Sequence, residues 1–496
     1  AQMTTSKRKF FVQYGHFFSG SLMSLLLGFI SFPILTRVLT REEYGVMGLI
    51  STTMLVAVAL AKAGLSDGII RYYKEYEDKE ERRSIFASTV VLRGLVITAI
   101  VAAAYWFTVP FVSGRLELKG AYTACFLIMS AYLFARPLNI IVLNILRITE
   151  RTVFYNIFNV AVKALSITIS LVLLLLVVKD FYGYFIGLVA AEAAGTAFLF
   201  YWFFKHYSVK LGAASGELAK KLIKFGIPLL LTEISYLLLA YADRYMIAAY
   251  KGEADLGLYS VGYNLAAYAS DIIMFSLSYA VIPIYVGLYQ KSGREETEKF
   301  LSMCTNYLII AVIPMFFIYS TVARDLFVTL ASAKYEEAAA FSPIILLGSI
   351  FMGTNSIFNA GLYIMKKSST ILGIMLFSLA ANIIANVVLL PVYGVTGAAY
   401  ATLFACVIST ALTITLSFRH IRVSVKFGTI TYYTVFSLAA YALISMIDTG
   451  YAWVNVLVKS AAWLAVLVPA VLLREKEILQ KVKTLPFLRK VFDEAS

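Results

Sequence analysis

Cysteine and histidine are scarce in this chain, which has only three of each among its 496 residues. The cysteines are Cys125, Cys304 and Cys406, and all three fall within apolar stretches. Neither they nor the isolated histidines have the spacing of metal ligands, and an odd number of cysteines is not typical of a disulfide framework. We therefore expect no disulfide and no metal centre.

The sequence also lacks the motifs of common enzyme classes. It contains no GxxxxGKS/T phosphate-binding loop, no HExxH zinc motif and no GxSxG nucleophile motif. Its polar segments are too short for a nucleotide-binding domain or for a catalytic domain outside the membrane. We therefore expect a protein that is not an enzyme and has no cofactor. Any transport would be driven by an H⁺ or Na⁺ gradient, or by the later fate of the substrate.

Charged residues are few as well, at 15% of the chain, whereas 60% of the residues are hydrophobic and the mean hydropathy is +0.80. A soluble domain cannot bury so much apolar side chain, because a single core stops growing at roughly 250–300 residues. Runs of about 20 apolar residues recur, and each is long enough to cross a hydrocarbon layer of ~30 Å. The composition therefore predicts an all-α polytopic membrane protein.

We predict fourteen transmembrane spans in this chain. They cover approximately residues 10–36, 43–66, 84–109, 120–146, 153–178, 181–204, 222–250, 256–288, 300–321, 339–365, 369–391, 395–418, 429–448 and 451–473. Of the 43 Lys and Arg residues, 29 fall in loops and tails on the side of the N-terminus, 8 on the other side and 6 within spans. This asymmetry is the positive-inside signature, so it predicts cytoplasmic termini. The net charge of +14 therefore indicates no nucleic-acid partner.

Two pairs of landmarks indicate an internal duplication. Gly45 and Gly257 lie 212 residues apart, and each has an acidic residue two places earlier. The Tyr-Gly pairs at 182–183 and 393–394 are 211 residues apart and open spans 6 and 12. An even number of spans in each repeat makes the repeats parallel, related by an axis along the membrane normal. Two such lobes favour transport by alternating access.

The duplication predicts the domain boundaries. The domains are an N-lobe of residues 1–206 with spans 1–6, a cytoplasmic linker of residues 207–221, a C-lobe of residues 222–420 with spans 7–12, spans 13 and 14 within residues 421–473, and a cytoplasmic amphipathic tail of residues 474–496.

Three basic residues lie deep inside the predicted N-lobe spans, namely Arg93, Arg136 and Lys163. The same lobe carries one acidic residue deep within a span, Glu192, which could pair with them or take part in ion coupling. A charge in mid-bilayer usually faces an aqueous cavity or a partner. Because one carboxylate cannot neutralise three cations, we favour a cationic lumen over purely structural pairing. Arginine and lysine together suit an anionic substrate that carries phosphate.

Further charged residues extend this set. Lys62 and Arg244 are additional candidates for the lumen, although Lys62 could instead extend to the membrane surface and Arg244 could pair with its neighbour Asp243. Glu233 and Asp271 have no basic neighbour in sequence. They could pair with N-lobe cations, which we favour, or one of them could bind a coupling H⁺ or Na⁺.

Three segments, PILTRVLTREEYGVMGL, DRYMIAAYKGEADLGLYSVGYN and YGVTGAAYAT, resemble the polysaccharide-transporter family of lipid-linked oligosaccharide flippases. That family belongs to the multidrug/oligosaccharidyl-lipid/polysaccharide exporter superfamily. With the topology and the duplication, the resemblance covers essentially the whole chain. It implies a V-shaped pair of six-helix lobes. It also implies transfer of an undecaprenyl-pyrophosphate-linked glycan from the cytoplasmic to the outer leaflet of the bacterial inner membrane, with polysaccharide polymerases or ligases as candidate partners.

The choice of substrate within the superfamily stays open. Fourteen spans also resemble the lipid II flippases, in which the extra helices border a groove for the lipid tail. The characteristic arginines of that branch have no counterpart here, because span 1 contains no arginine. The resemblance therefore favours an O-antigen, capsule or related repeat unit over lipid II. A multidrug cation antiporter is the other alternative, but the cationic N-lobe argues against it.

Overall fold

Helices make up almost all of the computed structural model, which describes residues 2–115, 120–149 and 151–475. Side chains are described outside residues 2–18, 21, 275–280 and 283. Most of the predicted amphipathic tail lies outside the described residues.

The described α-helices follow one another with short connections. They are α1 (Gln2–Val38), α2 (Arg41–Lys62), α3 (Leu65–Tyr72), α4 (Glu80–Arg115), α5 (Gly120–Ile148), α6 (Thr152–Val172), α7 (Phe181–His206), α8 (Gly216–Lys251), α9 (Glu253–Leu326), α10 (Ser342–Phe358), α11 (Ala360–Ile364), α12 (Ser368–Ser417), α13 (Phe427–Ile444) and α14 (Ala452–Arg474).

The membrane-spanning character is confirmed. Eleven helices in the described part are long and apolar enough to cross a membrane, and Leu22–Val38 is a shorter apolar helix. Two long helices are each broken at a glycine with positive φ, α9 at Gly293 (φ 78°) and α12 at Gly394 (φ 59°). Each broken helix corresponds to two predicted spans. The break falls at a glycine because glycine adopts this backbone conformation without steric penalty. The chain is an all-α multi-pass membrane protein.

Two compact units divide the chain. The first comprises Ala1–Val261 and Lys367–Ser409, and the second comprises Gly262–Lys366 and Thr410–Ser496. The first unit contains the whole predicted N-lobe, together with α8 and parts of α9 and α12. The predicted lobe boundaries stay a prediction.

Each unit has a hydrophobic core of its own. In the first unit, Phe86, Val142 and Leu222 are fully buried where α4, α5 and α8 pack together. In the second unit, Trp463 of α14 is buried against α13, and its indole N–H donates to Thr321 Oγ1 at 3.1 Å. The described residues of α14 are thus attached to α9 by a polar contact as well as by apolar packing.

The start of α2 is fixed by the turn before it and packs so closely against α9 that Gly45 must be a glycine. The backbone N–H of Glu43 donates to Thr40 Oγ1, and Glu43 Oε2 accepts from the backbone N–H of Thr40, so α2 opens with a capping box. One turn later the backbone of α2 contacts the start of α9. A Cβ atom on Gly45 would lie 2.2 Å from the carbonyl oxygen of Glu253, and one on Gly257 would lie 1.8 Å from that of Arg41. The two glycines singled out in the sequence therefore pack together.

A hydrogen bond from a backbone N–H to a serine side chain occurs at equivalent positions in the two units. In the first unit, the backbone N–H of Lys210 donates to Ser88 Oγ at 2.9 Å, which holds the segment after α7 against α4. In the second unit, the backbone N–H of Ser424 donates to Ser302 Oγ at 2.8 Å. Both members of the second pair lie 214 residues after their counterparts (424 − 210 and 302 − 88). This offset is close to the period of the glycine landmarks.

Candidate functional site

Arg136 and Glu192 meet inside the first unit. Arg136 of α5 lies with Nη1 3.4 Å from Glu192 Oε1 of α7. Asn139, one turn further along α5, donates from Nδ2 to the same carboxylate oxygen at 2.7 Å. Glu192 is buried, whereas the Arg136 side chain remains 30% exposed. The carboxylate is therefore held by two partners, while the guanidinium keeps donors for another acceptor.

Lys163 of α6 lies near this pair. It is close enough to Arg136 for the two positive charges to repel each other. Its side chain is exposed and has no hydrogen bond or ion pair within the described part of the chain. Arg136, Lys163 and Glu192 together carry one net positive charge. Of the three cations predicted for the lumen, the structure brings these two together.

Arg93 lies in a different place. It lines a cavity of about 780 Å³ between α4 and α8, which also contains Lys220 and Lys224. A Cβ atom on Gly216, the first residue of α8, would lie 3.8 Å from Arg93 Nη2. Neither Arg136 nor Lys163 lines this cavity. Arg93 is therefore level with the start of α8, and its role in a lumen shared with the other two cations stays a prediction.

Lys62 and Glu233 form an ion pair in the first unit. Lys62 Nζ lies 2.6 Å from Glu233 Oε1, and the pair joins the last residue of α2 to α8. Beside it, Ala63 and Gly64 both adopt left-handed backbone conformations before α3 begins. Burial raises the pKa of Asp67 on α3, and the charge of Glu233 raises it further, whereas the charge of Lys62 lowers it. Lys62, at the end of α2, therefore interacts with two acidic residues, Glu233 of α8 and Asp67 of α3.

Asp243 and Arg244 are adjacent in sequence and both buried, yet they contact different helices. Arg244 Nη1 donates to Thr52 Oγ1 of α2 at 3.0 Å and approaches the carbonyl oxygen of Gly48. Asp243 Oδ2 accepts hydrogen bonds from Tyr259 of α9 and from Thr402 of α12. The Arg244 guanidinium therefore connects α8 to α2, while the Asp243 carboxylate connects α8 to α9 and α12.

The polar cluster around Asp243 continues along α12. Asn382 Nδ2 lies 3.4 Å from Thr402 Oγ1, and Asn386 Nδ2 donates to Asn382 Oδ1 at 3.2 Å. Two buried oxygens of this cluster, Asp243 Oδ1 and Asn386 Oδ1, accept no hydrogen bond within the described part of the chain. Buried acceptors without a donor are costly, so a group that supplies positive charge fits here.

The second unit contains another buried ion pair. Lys459 Nζ of α14 lies 2.7 Å from Asp325 Oδ2 of α9, and the two side chains are only 10% and 13% exposed. Asn455 donates to the other oxygen of Asp325 at 3.1 Å. Asp271, in the same unit, has no hydrogen bond or ion pair among the described residues. A role for Asp271 in pairing or ion coupling stays a prediction.

Several residues of these clusters were missed in the sequence. Asn382 and Asn386 are spaced four apart within an apolar span, and that spacing could have identified them because it puts two amides on one helix face. Lys220 and Lys224 have the same spacing at the start of α8. No local signal in the sequence indicates that Asn139 contacts Glu192.

Two family models and a relative of known sequence match this chain. The model of a family described as polysaccharide biosynthesis protein matches residues 15–289, and a second family model, MatE, matches residues 228–388. The chain is 28% identical over 286 residues to the Lsg locus putative protein 1 of Haemophilus influenzae. That alignment covers 55% of this chain and 65% of the relative, so the chain spans slightly less than two thirds of that protein.

Solved structures share the fold. A structure of lipid II flippase MurJ in an inward closed conformation aligns with a TM-score of 0.77 at 15% identity, covering 93% of this chain and 99% of that one. An inward-facing multidrug resistance MATE family transporter of the MOP superfamily aligns with a TM-score of 0.63 at 15% identity, covering 83% and 96%. The resemblance seen in the sequence is therefore confirmed. Because the first family model covers more than half of its residues, this chain belongs to the polysaccharide biosynthesis protein family.

Proposed function

We propose that this protein is a flippase for an undecaprenyl-pyrophosphate-linked oligosaccharide, such as an O-antigen or capsule repeat unit. It would transfer the glycan from the inner to the outer leaflet of the bacterial cytoplasmic membrane by alternating access, without catalysing a reaction. Membership of the polysaccharide biosynthesis protein family supports the class of substrate. The observation that carries the proposal is the excess of positive charge at Arg136 and Lys163 over their single carboxylate, Glu192.

The pyrophosphate would bind at Arg136 and Lys163. The guanidinium can present a planar pair of donors to a phosphate, and the ammonium of Lys163 adds a second charge without a protein partner to displace. Glu192 orients Arg136 by accepting from its guanidinium, and Asn139 holds the Glu192 carboxylate in place by donating to the same oxygen. Lys62 and Arg244, which already have protein partners at Glu233 and Thr52, would instead stabilise the arrangement of α2 and α8.

A coupling cation would bind beside Asp243. One oxygen of the carboxylate is bound by Tyr259 and Thr402, whereas its second oxygen and the side-chain oxygen of Asn386 accept no hydrogen bond from any described residue. Hard cations such as Na⁺ take oxygen ligands of this kind, and a proton on the carboxyl would equally satisfy the unpartnered atom. H⁺ and Na⁺ are therefore the two ions to test.

The direct test is translocation in proteoliposomes. The purified protein is reconstituted with a fluorescently labelled undecaprenyl-pyrophosphate oligosaccharide, and a membrane-impermeant quencher reports the fraction of label in the outer leaflet. The wild type should equilibrate the label faster than empty liposomes. The Arg136→Gln/Lys163→Gln variant should lower the rate about tenfold or more, because each charged hydrogen bond to phosphate contributes about 1.5–3 kcal/mol.

A matched control removes two positive charges elsewhere. Lys221 and Arg324 form ion pairs with Glu75 and Glu336 at exposed positions, so Lys221→Gln/Arg324→Gln changes the net charge equally. Equal rates for the control and the Arg136→Gln/Lys163→Gln variant would contradict the proposed site. Rates measured with and without H⁺ and Na⁺ gradients, in the wild type and in Asp243→Asn, test the coupling cation. Loss of the gradient dependence in Asp243→Asn is the expected result.

A lipid II flippase is the second candidate, since the fold aligns over nearly the whole chain with a structure of that name. The same liposomes loaded with labelled lipid II distinguish the two substrates. A multidrug cation antiporter is the third, and uptake of a fluorescent cationic drug tests it. The cluster at Arg136 and Lys163 predicts no uptake of cations, because like charges repel.

A further inference from the structure

The groove between α4 and α8 holds three cations on an apolar wall. Arg93 of α4 faces Lys220 and Lys224 of α8 around a cavity of about 780 Å³. Within the described ranges of the chain, no acidic residue lines this cavity. Its remaining walls are mostly aliphatic, and the side chains that form them are Val96, Ile97, Ile223, Ile227 and Pro228.

Hydrogen bonds between α4 and the segment before α8 fix the position of Arg93 relative to the start of α8. The backbone N–H of Ser215 donates to Thr89 Oγ1 at 2.8 Å, and Ser215 itself caps α8 by accepting from Leu218. Thr89 lies one helical turn before Arg93, so the guanidinium sits beside the first turn of α8. The N-terminal end of a helix carries partial positive charge, which adds to the charge of the three side chains.

The three cations have no partner among the described residues of the chain. Neither a hydrogen bond nor an ion pair is formed by Arg93, Lys220 or Lys224 within the described part of the chain, and all three side chains are exposed. Lys221, which lies between the two lysines in sequence, points elsewhere. It donates to Glu75 at 2.8 Å and lies over the ring of Tyr72. Of these three lysines, Lys221 is therefore neutralised by an acidic residue, whereas Lys220 and Lys224 can bind an anionic ligand.

The groove lies at the edge of the hydrocarbon layer. No charged residue occurs between Arg93 and Arg115, and α4 rises ~33 Å between them, which is close to the ~30 Å thickness of the apolar layer. The stretch between these two arginines is thus long enough to cross the layer by itself, with Arg93 at one end of it. Lys220 and Lys224 follow the start of α8 at intervals of one turn, with Ile223 and Ile227 on the same side.

We propose that this groove binds an anionic phospholipid of the bilayer, with the phosphate between Arg93, Lys220 and Lys224 and an acyl chain against the aliphatic wall. Phosphate matches the charge and the donors of the three side chains, and basic pockets between membrane helices are suited to anionic headgroups. A soluble anion would leave the aliphatic wall uncovered. The site is separate from Arg136 and Lys163, so it goes beyond the proposed transport function and does not depend on it.

Native mass spectrometry of the full-length protein in detergent tests the proposal. Dioleoylphosphatidylglycerol is the anionic probe and dioleoylphosphatidylcholine the zwitterionic one. The wild type should bind the anionic lipid with higher affinity than the zwitterionic lipid. The Arg93→Gln/Lys220→Gln/Lys224→Gln variant should lose between about tenfold and 100-fold in affinity for phosphatidylglycerol, because each interfacial cation contributes to the binding of an anionic headgroup. Its affinity for phosphatidylcholine should stay unchanged.

Lys221→Gln is the matched control, since it removes a positive charge from the next position of α8 and should leave both affinities unchanged. The single variants Lys220→Gln and Lys224→Gln, at exposed positions, give smaller losses and keep the test valid if the triple variant does not fold. Wild-type affinity for phosphatidylglycerol in the triple variant would overturn the proposal. An equal loss in Lys221→Gln would overturn it too, as would displacement of the lipid by sodium phosphate at the same concentration.

Discussion

Substituting alanine for Gly257 tests whether the contact between α2 and α9 depends on glycine. A Cβ atom at this position would lie 1.8 Å from the carbonyl oxygen of Arg41, which belongs to the backbone and cannot rotate away. An ordinary carbon–oxygen contact requires about 3.3 Å, so the two helices would have to separate by roughly 1.5 Å. The shift would also affect Gly45, which packs against the same turn of α9.

The expected magnitude follows from two opposing effects. Overpacking a tight contact costs about 1–3 kcal/mol, whereas exchanging glycine for alanine within a helix gains up to about 1 kcal/mol. Gly373 of α12 provides the matched control, because it is also helical and a Cβ atom there would meet nothing within 4 Å. Both variants gain the helix propensity of alanine, so we expect Gly257→Ala to be less stable than Gly373→Ala by the overpacking cost of about 1–3 kcal/mol.

Unfolding in sodium dodecyl sulfate, followed by circular dichroism of the purified protein, measures this difference as a free energy. The wild type should lie between the two variants. Equal unfolding free energies for Gly257→Ala and Gly373→Ala would refute the reasoning, because the close approach of the two backbones would then not require glycine.

Three further predictions concern the charged clusters, and all use the same unfolding measurement. Lys62→Gln should destabilise the protein by about 1–3 kcal/mol because it leaves the Glu233 carboxylate without its partner, and the exchanged variant Lys62→Glu/Glu233→Lys should recover part of the loss. The folded state raises the pKa of Asp67, so this group stabilises the protein most at low pH and its contribution is lost as pH rises through the folded-state pKa. Asp67→Asn should flatten that dependence across a series from acid to neutral pH, and an unchanged slope would contradict it. In the second unit, Asp325→Asn should cost about 3–5 kcal/mol because Lys459 becomes a buried unpaired charge, while Asp325→Leu/Lys459→Met together should cost much less.

The membrane-spanning helices could be predicted because long apolar runs carry a strong signal. A run of 20 apolar residues has few alternatives to a helix in lipid, where every backbone polar group needs an internal partner. Even the breaks in α9 and α12 fall at glycines that separate predicted spans, Gly293 and Gly394. Hydropathy alone predicts such helices because the surrounding lipid requires them, whichever helices pack beside them.

The partners of the charged residues could not be predicted in the same way. A basic residue within a span must find an acceptor, but the sequence does not state which helix supplies it. Glu192 is bound by Arg136 and also by Asn139, whose role depends on how α5 packs against α7. Likewise, nothing in the sequence indicates that Arg93 lies beside the first residue of α8.

The three cations predicted for one lumen differ in what the chain provides for them. Arg136 has a carboxylate partner that is itself held by Asn139, so a phosphate bound there would share the guanidinium with Glu192. Lys163 has no partner in the described chain and can bind an anion without breaking a bond. A site that combines the two can both orient a phosphate and release it, because the carboxylate competes for the same donors. Among the described residues, Arg93 has no such competitor and shares its cavity with cations and mostly aliphatic side chains, which suits an anion that stays bound. The arrangement therefore separates a site built for exchange from one built for retention, a distinction that counting charges in the sequence does not make.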